Sequence, residues 1–264
     1  MLLITEMRRK RLLIQPFPPA WNAILERNVP LYHRLPPADR TGLKGVTQII
    51  LAEKNFEGGD GLVITDEIRV TIAAQASILL LHRRSDYYPG LSSIIVYPYE
   101  YLAPFLEMDE WGVVTEGTDQ RSGESGQEGA LVLSWEDVVA EGIDVHEGYN
   151  VVLHEFAHQL DAEEGITTGR PMLPGRSGSG ALADILSRER DRLHEEAVLG
   201  RKTVLDPYGA ENSSELFAVA TEAFFQIPCP LREHHPELYC ELSRFYRQNP
   251  AAWLPSIRTD PSAG

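Results

Sequence analysis

The segment VVLHEFAHQL, residues 151–160, carries two histidines four residues apart with a glutamate directly after the first. On an α-helix, residues i and i+4 lie on one face with Cβ atoms about 5–6 Å apart. His154 and His158 can therefore present ring nitrogens to one metal ion. Glu155 lies about 100° around the helix from His154, where its carboxylate can accept a proton from metal-activated water. The pattern predicts two metal ligands and a general base.

The same residues can also be given a purely structural interpretation. Histidines on helices are often packed or solvated without function, and the pairs His146–Glu147 and His194–Glu195 lack a second histidine. In residues 151–160, however, three polar side chains stand among apolar ones. Burying them without partners would be costly, so the arrangement favours a bound cation such as Zn²⁺.

A third ligand must come from another part of the chain, because a catalytic zinc site normally has three protein ligands and one water. Residues 206–225, DPYGAENSSELFAVATEAFF, have a helical spacing that aligns Glu215 and Glu222 on one face. These two residues are about 10.5 Å apart along a helix, so only one of them can bind the ion. The spacing leaves the choice open, since Glu215 could instead make a capping-box contact with Asn212.

Asp161 has two open interpretations. It follows His158 by three residues and His154 by seven, so it shares their helix face. From there it could orient a ligand imidazole without touching the metal. It could equally be a solvated carboxylate at the end of the helix.

The elements that position these residues can be predicted from periodicity and capping signals. Asn150 is a suitable N-cap for the HExxH helix, and Gly165 is a natural stop. We expect further helices at Asp39 to about Lys54, at Asp66 to about Leu81 with Thr65 as N-cap, in SWEDVVAEG (134–142), and at about 181–199, 213–227 and 235–248. We expect strands in FEGGDGLVIT after its turn, in LSSIIVYPYEYL up to Pro98, and in ALVLSW. Residues 116–129 are expected to form a loop or hairpin arm, and 166–180 to be irregular.

This order of elements predicts an α+β fold, because helices and short strands do not alternate as in a doubly wound sheet. The length of 264 residues, with 43% hydrophobic and 24% charged residues, fits a single domain covering residues 1–264. Residues 1–19 are expected to be a flexible basic segment, and residues 254–264 a flexible tail.

Composition excludes several classes of protein. A formal net charge of −15 opposes nucleic-acid binding, and the basic cluster at residues 8–11 reads as a solvated tail. No apolar run approaches the roughly 18 residues of a membrane span. The N-terminus lacks the features of a secretory signal, so we expect a cytoplasmic location. Cys229 and Cys240 give neither a disulfide framework nor a metal knuckle.

Longer blocks of the sequence resemble the Mlc titration factor A family of zinc metallopeptidases, which is zincin-like. The resemblance runs from about residue 20 to residue 253, in the blocks NVPLYHRLP, FEGGDGLVITDEIRVTIAAQA, VLSWEDV, YNVVLHEFAHQLD, DPYGAENSSELFAVATEAFF and HPELYCELSRFYRQNPAAW. It implies one Zn²⁺ held by His154, His158 and a glutamate seven residues after a tyrosine. Tyr208 and Glu215 keep that spacing, so the resemblance implies Glu215 as the third ligand.

The same resemblance, shared with the catalytic domain of anthrax lethal factor, implies that Tyr208 hydrogen-bonds the developing oxyanion. It implies hydrolysis of peptide bonds with Glu155 as general base. Aminopeptidase activity belongs to this expectation, although the sequence does not decide between exo- and endopeptidase. By analogy with this fold, ALVLSW is expected to offer its edge to an extended substrate. The turn tyrosine could instead only pack beside Pro207.

Two other functions remain open. The family name implies a regulatory binding protein that sequesters a transcription repressor of the Mlc type, with or without proteolysis. A purely structural zinc site is the third interpretation, and it would require a fourth protein ligand in place of water. The loop GITTGRPMLPGRSGSG and the basic N-terminus depart from the family pattern, which leaves substrate and partner selection open.

Overall fold

The computed structural model describes residues 2–83, 86–108, 114–121, 123–125, 129–167 and 180–254, and for residues 2, 3 and 101–125 it describes only the backbone. The α-helices are α1 (Leu2–Ile14), α2 (Pro19–Asn28), α3 (Pro30–Arg34), α4 (Pro37–Glu53), α5 (Asp66–Ile78), α6 (Trp135–Ile143), α7 (Val151–Glu164), α8 (Gly180–Val198), α9 (Ser213–Gln226), α10 (Pro228–His234) and α11 (Pro236–Tyr246). The strands are β1 (Asn55–Gly58), β2 (Ser93–Tyr97), β3 (Tyr101–Met108), β4 (Val114–Arg121), β5 (Gly123–Ser125) and β6 (Ala130–Ser134). Short 3₁₀ helices lie at Pro207–Ala210 and Pro250–Ala252.

One mixed sheet supports the core, with the strand order β1–β2–β6–β5. Strand β2 pairs in parallel with β1 and β6, whereas β5 runs antiparallel to β6. Ile94 and Val96 of β2 lie beside Leu131 and Leu133 of β6, and all four are fully buried. Because side chains alternate along a strand, one face of the sheet therefore packs on the core. Strands β3 and β4 form a separate antiparallel hairpin.

Helix α7 is fixed at both ends by local signals. The Asn150 side chain accepts a hydrogen bond from Leu153 N at 2.9 Å, which satisfies one free N–H group of the first turn. Gly165 ends the helix with a φ of 63°, a left-handed conformation that glycine adopts without steric cost. The fully buried apolar side chains of α7 are Val152, Leu153, Phe156, Ala157 and Leu160. Their packing fixes the rotation of the helix and so the direction of its histidines.

Helix α9 packs against α7 and is buried over residues 216–226. Its start is fixed by Asn212, whose side chain accepts hydrogen bonds from the backbone N–H groups of Ser214 and Glu215 at 2.9 and 3.0 Å. The fully buried Ala218 and Ala220 allow a close approach of neighbouring helices. The sequence therefore sets both the start of α9 and its distance from the HExxH helix.

The predicted α+β architecture is confirmed, and the predicted helices correspond to α4 to α9 and α11. Thr65 caps α5 as expected, by accepting a hydrogen bond from Ile68 N, although α5 ends at Ile78 rather than near Leu81. Part of the 116–129 region belongs to the β3–β4 hairpin and to β5. The strand predicted after the turn in FEGGDGLVIT is wrong. The strand there is β1, which precedes the turn, because the positive φ values of Asp60 and Gly61 interrupt the extended backbone.

Within the segment 1–19, which is predicted to be flexible and basic, residues 2–14 form α1 and pack on α4. Arg9 is not solvated, because its guanidinium donates to both carboxylate oxygens of Glu53, at 2.7 and 2.8 Å. Gln48 Nε2 donates to the backbone oxygens of Leu12 and Gln15, both at 3.0 Å. Local sequence could not reveal these long-range partners.

Three remaining expectations are only partly addressed by the described residues. The predicted tail at 254–264 and the irregular segment at 166–180 lie largely outside them. A single domain over residues 1–264 stays a prediction, although the buried apolar residues form one cluster. Among the described helices, none combines the length and apolar character needed to cross a bilayer.

Candidate metal centre

The structure brings His154, His158 and Glu215 together at one point. His154 Nε2 lies 3.2 Å from His158 Nε2 and 3.1 Å from Glu215 Oε2, and His158 Nε2 lies 3.3 Å from the same carboxylate oxygen. A tetrahedral zinc ion with ligand bonds of about 2.0–2.1 Å separates its ligands by about 3.3 Å. The three atoms thus already form one face of a tetrahedron of the size that zinc requires.

This convergence follows from the packing of α7 against α9. The two histidines lie one turn apart on α7, and Glu215 lies in the first turn of α9. Its carboxylate contacts both rings, so the Glu215 side chain does not make the capping-box contact. The choice between Glu215 and Glu222 as the residue beside both rings is thereby decided in favour of Glu215.

Glu222 instead contacts the far side of the His154 ring. Its Oε1 lies 2.7 Å from His154 Nδ1, and its Oε2 accepts a hydrogen bond from Asn150 N at 2.6 Å. The Asn150 side chain donates in turn to Gln75 Oε1 at 2.7 Å. A carboxylate on Nδ1 selects the tautomer that leaves Nε2 free to coordinate and increases its basicity. Glu222 is therefore an orienting residue for His154.

Asp161 supports the second histidine through a hydroxyl group. His158 Nδ1 lies 3.1 Å from Ser214 Oγ, which donates to Asp161 Oδ2 at 2.8 Å. Asp161 also accepts from Thr167 N at 2.8 Å and from Thr167 Oγ1 at 2.7 Å. It is only 7% exposed, so the solvated interpretation is wrong. Asp161 orients His158 from outside the coordination sphere, as the other interpretation expects.

The Glu155 carboxylate is buried beside the two rings. Only 6% of the residue is exposed, and its Oε2 has no hydrogen-bond partner within the described part of the chain. Burial raises the pKa of Glu155 to about 7, although the charges of His154 and His158 oppose the rise. A buried carboxylate oxygen without a partner, next to three converging ligand atoms, is suited to a proton-transfer role.

The electrostatics of the site favour a cation. Burial opposes protonation of His154, but the carboxylates of Glu215 and Glu222 outweigh it and raise its pKa to about 11. Burial likewise opposes ionisation of Glu215, yet hydrogen bonds from both histidines lower its pKa to about 2. Negative charge is therefore concentrated around two imidazoles, which is the environment that a divalent metal neutralises.

Tyr208 lies at the exposed rim of this group. It belongs to the Pro207–Ala210 3₁₀ helix, its ring centroid is 6.2 Å from that of His154, and 48% of the residue is exposed. Asp206 Oδ1 accepts a hydrogen bond from Tyr208 N at 2.7 Å and so fixes this turn. Asp206 also hydrogen-bonds the side chain of Tyr149, next to the N-cap of α7. The phenol is placed where it can reach a molecule bound at the histidines.

The chain is similar to known proteins over nearly its whole length. The model of the family described as Glucose-regulated metallo-peptidase M90 matches residues 4–247. The chain belongs to this family. The Uncharacterized protein slr2042 of Synechocystis sp. is 38% identical over 246 residues, which cover 93% of this chain and 90% of that protein. The Mlc titration factor A of Serratia proteamaculans is 33% identical over 246 residues, with coverages of 89% and 90%. The Yersinia pestis protein of that name is 30% identical over 258 residues, with coverages of 91% and 90%.

Membership of this metallopeptidase family confirms the resemblance seen in the sequence blocks and agrees with a zincin-like α+β fold. The M90 family match includes α7, α9 and the sheet, so the cluster formed by His154, His158 and Glu215 lies inside it. The family implies a metal, and the donor set of two imidazoles and one carboxylate fits zinc. His154, His158 and Glu215 are therefore suitable ligands for the metal ion that the family implies.

One expectation about this M90 domain is wrong. Strand β6, which contains ALVLS, cannot offer a free edge, because it pairs with β2 on one side and with β5 on the other. Glu124 of β5 lies opposite Val132 of β6 in an antiparallel register. Substrate addition needs unpaired backbone N–H and C=O groups. The last strand of the sheet on this side is β5.

Sequence reasoning missed two supporting residues. Ser214 directly precedes Glu215 and joins His158 to Asp161, but a serine at the start of a helix gives no distinctive signal. Glu141 at the end of α6 accepts a hydrogen bond from Val151 N at 2.6 Å and so caps the HExxH helix. Glu141 precedes Val151 by ten residues in the sequence, and this contact could not be predicted because capping residues are normally found within the first turn of the helix.

Proposed function

We propose that this protein is a zinc-dependent peptidase in which His154, His158 and Glu215 hold the metal and Glu155 is the general base. The observation that carries the proposal is the convergence of three ligand atoms at 3.1–3.3 Å from one another, with the buried Glu155 carboxylate beside them. Membership of a metallopeptidase family supports the reaction class.

In such a site the chemistry expected of zinc is Lewis acidity, which polarises a carbonyl and lowers the pKa of water towards about 7. Glu155 takes the proton from the attacking water and later returns it to the leaving amine. Tyr208 donates its phenol proton in a hydrogen bond to the oxyanion that develops on the scissile carbonyl. Glu222 and Asp161 hold the two imidazoles in the orientation and tautomer that this chemistry needs.

The number of protein ligands supports a catalytic rather than a structural site. Structural zinc sites have four protein ligands, usually including cysteine, whereas catalytic sites keep one position open. Across the part of the chain that the structure describes, the candidate metal cluster contains three residues. Cys229 and Cys240 are not among them.

The substrate class is a peptide or protein segment. An extended peptide would add to the sheet at β5, since β6 is paired on both sides. An aminopeptidase preference and a cytoplasmic location are parts of this proposal, and neither nucleic-acid binding nor a membrane span enters it. Peptides with free and acetylated N-termini distinguish exo- from endopeptidase activity.

A second candidate function is regulatory binding of a transcription repressor of the Mlc type. It is favoured by the name of the relatives at 30–33% identity, Mlc titration factor A. Binding of this kind would not require proton transfer by Glu155. The two functions can therefore be separated in one variant.

The test combines metal analysis with cleavage of a peptide library by the wild type and by Glu155→Gln. We expect the variant to keep one zinc per chain and to lose at least about a hundredfold in turnover, because proton transfer is lost while the ligands remain. Glu195→Gln is the matched control, since His194–Glu195 is a His–Glu pair without a second histidine. Full activity in Glu155→Gln would refute the mechanism, and retained repressor binding by this variant would support the second function.

A further inference from the structure

Helix α1 presents two different faces. Its inner side is fixed to the rest of the protein by Arg9, which binds Glu53, and by Arg8, whose Nη2 donates to Ala52 O at 2.9 Å. Gly45 of α4 lets the helix approach closely, since a Cβ at this position would lie 3.1 Å from the Leu13 backbone oxygen. Helix α1 is thus an attached element with a defined outer side.

The outer side of α1 is apolar. Ile4, Met7 and Ile14 are 74%, 70% and 83% exposed. They follow each other at intervals of three and seven residues, so they lie along one side of the helix. Single exposed apolar residues are ordinary on protein surfaces, whereas several on one short helix form a patch.

The same helix is strongly basic. It contains Arg8, Arg9, Lys10 and Arg11 and a single acidic residue, Glu6, so the formal net charge of α1 is +3. Lys10 and Arg11 are exposed on this side of the helix. Arg11 lies one helical turn from both Met7 and Ile14, within the apolar stripe, and Lys10 lies at the edge of the stripe. The chain as a whole carries −15. The outer side of α1 is therefore a local positive and apolar surface on an acidic protein.

We propose that the outer side of α1 docks this protein onto an anionic lipid surface. Interfacial helices bind membranes through an apolar stripe flanked by Lys and Arg residues, and they lie in the plane of the interface. The basic residues are attracted to anionic head groups, while the acidic remainder of the chain is repelled and turned away. The docking surface is independent of the peptidase chemistry.

Charge and composition select a lipid surface over other partners. A second copy of the chain would bring two helices of like charge together, which opposes self-association through α1. A nucleic acid would use the basic side chains but would leave the three apolar ones in water. An anionic bilayer interface would contact both the basic and the apolar side chains of α1.

The test is sedimentation of the full-length protein with phosphatidylcholine vesicles, with and without phosphatidylglycerol. We expect binding to the phosphatidylglycerol vesicles only, with a strong decrease at high salt. Lys10→Gln combined with Arg11→Gln should weaken binding roughly fivefold per removed charge. Ile4→Ser, Met7→Ser and Ile14→Ser together should abolish it, because the apolar stripe is lost.

The matched control is Val198→Ser with Leu199→Ser, which removes two exposed apolar side chains at 73% and 63% exposure on another surface. It should bind vesicles like the wild type. Circular dichroism and thermal unfolding check that all variants remain folded. The proposal is overturned if the wild type ignores phosphatidylglycerol vesicles, or if the triple serine variant still binds them. It is also overturned if that variant loses a concentration-dependent dimer instead of vesicle binding.

Discussion

The two histidines of helix α7 are held in chemically different ways, His154 by partners at the N-terminal end of the helix and His158 by partners towards its C-terminal end. At the N-terminal end, His154 contacts the buried Glu222 carboxylate directly at 2.7 Å. That carboxylate also accepts from Asn150 N, and Glu141 accepts from Val151 N, both at 2.6 Å. Two acidic side chains therefore lie at the positive end of the helix dipole, which offsets part of the cost of burying their charge.

At the C-terminal end, His158 reaches a carboxylate only through a hydroxyl group. Ser214 lies between His158 and Asp161, and Asp161 accepts two further hydrogen bonds from Thr167. An acceptor that is already shared among three donors passes little additional basicity to His158. The comparison indicates that the N-terminal end tunes the charge of its ligand, whereas the C-terminal end mainly fixes orientation. Changes at the N-terminal end should therefore have the larger effects.

The largest predicted effect is a pH dependence of stability at the N-terminal end. Burial raises the pKa of Glu141 to about 7, although the hydrogen bond from Val151 N opposes the rise. Between the ordinary glutamate pKa of 4.5 and about 7, Glu141 keeps its proton in the folded metal-free protein but loses it on unfolding. Stability therefore falls as pH rises through this window, by at most about 3 kcal/mol.

Glu141→Gln should remove this contribution while keeping an oxygen that can accept from Val151 N. Urea unfolding of the chelated protein at a series of pH values measures it. We expect the variant to gain stability relative to the wild type as pH rises towards 7. The exposed Glu136→Gln change on the same helix is the control. If the free energy of unfolding changed with pH in the same way for the wild type and Glu141→Gln, ionisation of Glu141 would not destabilise the N-terminal end of α7.

The second prediction concerns the direct carboxylate contact of His154. Glu222→Gln replaces the charged acceptor on Nδ1 with a neutral amide, so zinc affinity should fall about tenfold to a hundredfold. Competition with a zinc-binding dye measures the affinity directly, without reference to activity. Asp161→Asn is the matched change at the other end and should cost less. Equal losses in the two variants would contradict the proposed asymmetry.

A smaller effect is expected for the hydroxyl relay. Ser214→Ala removes the contact to His158 but leaves Asp161 with its two hydrogen bonds from Thr167. Zinc affinity should fall by about tenfold, the lower end of the range for such orienting partners. Ser214→Thr keeps a hydroxyl group and should restore most of the affinity. If threonine behaves like alanine, packing rather than the hydroxyl supports His158.

The local parts of this site could be predicted from the sequence, because their signals lie within one or two helical turns. The spacing of His154, Glu155 and His158 sets two ligands and a base on one helix, and Asn150 and Gly165 mark its ends. Likewise, Thr65 and the acidic first turn of α5 give its start correctly. Each of these features depends on hydrogen bonds between near neighbours in the chain.

The contacts between distant segments could not be predicted in the same way. Glu215 and Glu222 share a helix face, and only the packing of α9 on α7 shows which side of His154 each one contacts. Strand β5 covers the edge of β6 with only three residues, too few to give a periodic signal. The acidic partners of Arg9 are Glu53 and Asp86, 44 and 77 residues away, so α1 looks like a solvated tail when it is considered alone.

The smallest predicted effect concerns the link between the N-terminal end of α7 and the Tyr208 turn. The hydrogen bond to Asp206 is the main reason that the pKa of Tyr149 is raised to about 12, and Asp206 also caps the turn that carries Tyr208. Tyr149→Phe removes this link, so turnover should fall severalfold with little change in KM, because the phenol of Tyr208 is less precisely placed for the oxyanion.

A double-mutant cycle gives this prediction its specific test. If Tyr149 acts through Tyr208, then Tyr149→Phe should have almost no further effect on turnover in the Tyr208→Phe background. A structural role of Tyr149 that is unrelated to Tyr208 would give additive losses in the same cycle. Zinc affinity should stay unchanged in Tyr149→Phe, because the hydrogen bond that this change removes goes to Asp206 and not to one of the three ligand residues. If Tyr149→Phe lowered zinc affinity as well as turnover, Tyr149 would instead support the metal ligands, together with Glu222 and Asn150 at the N-terminal end of α7.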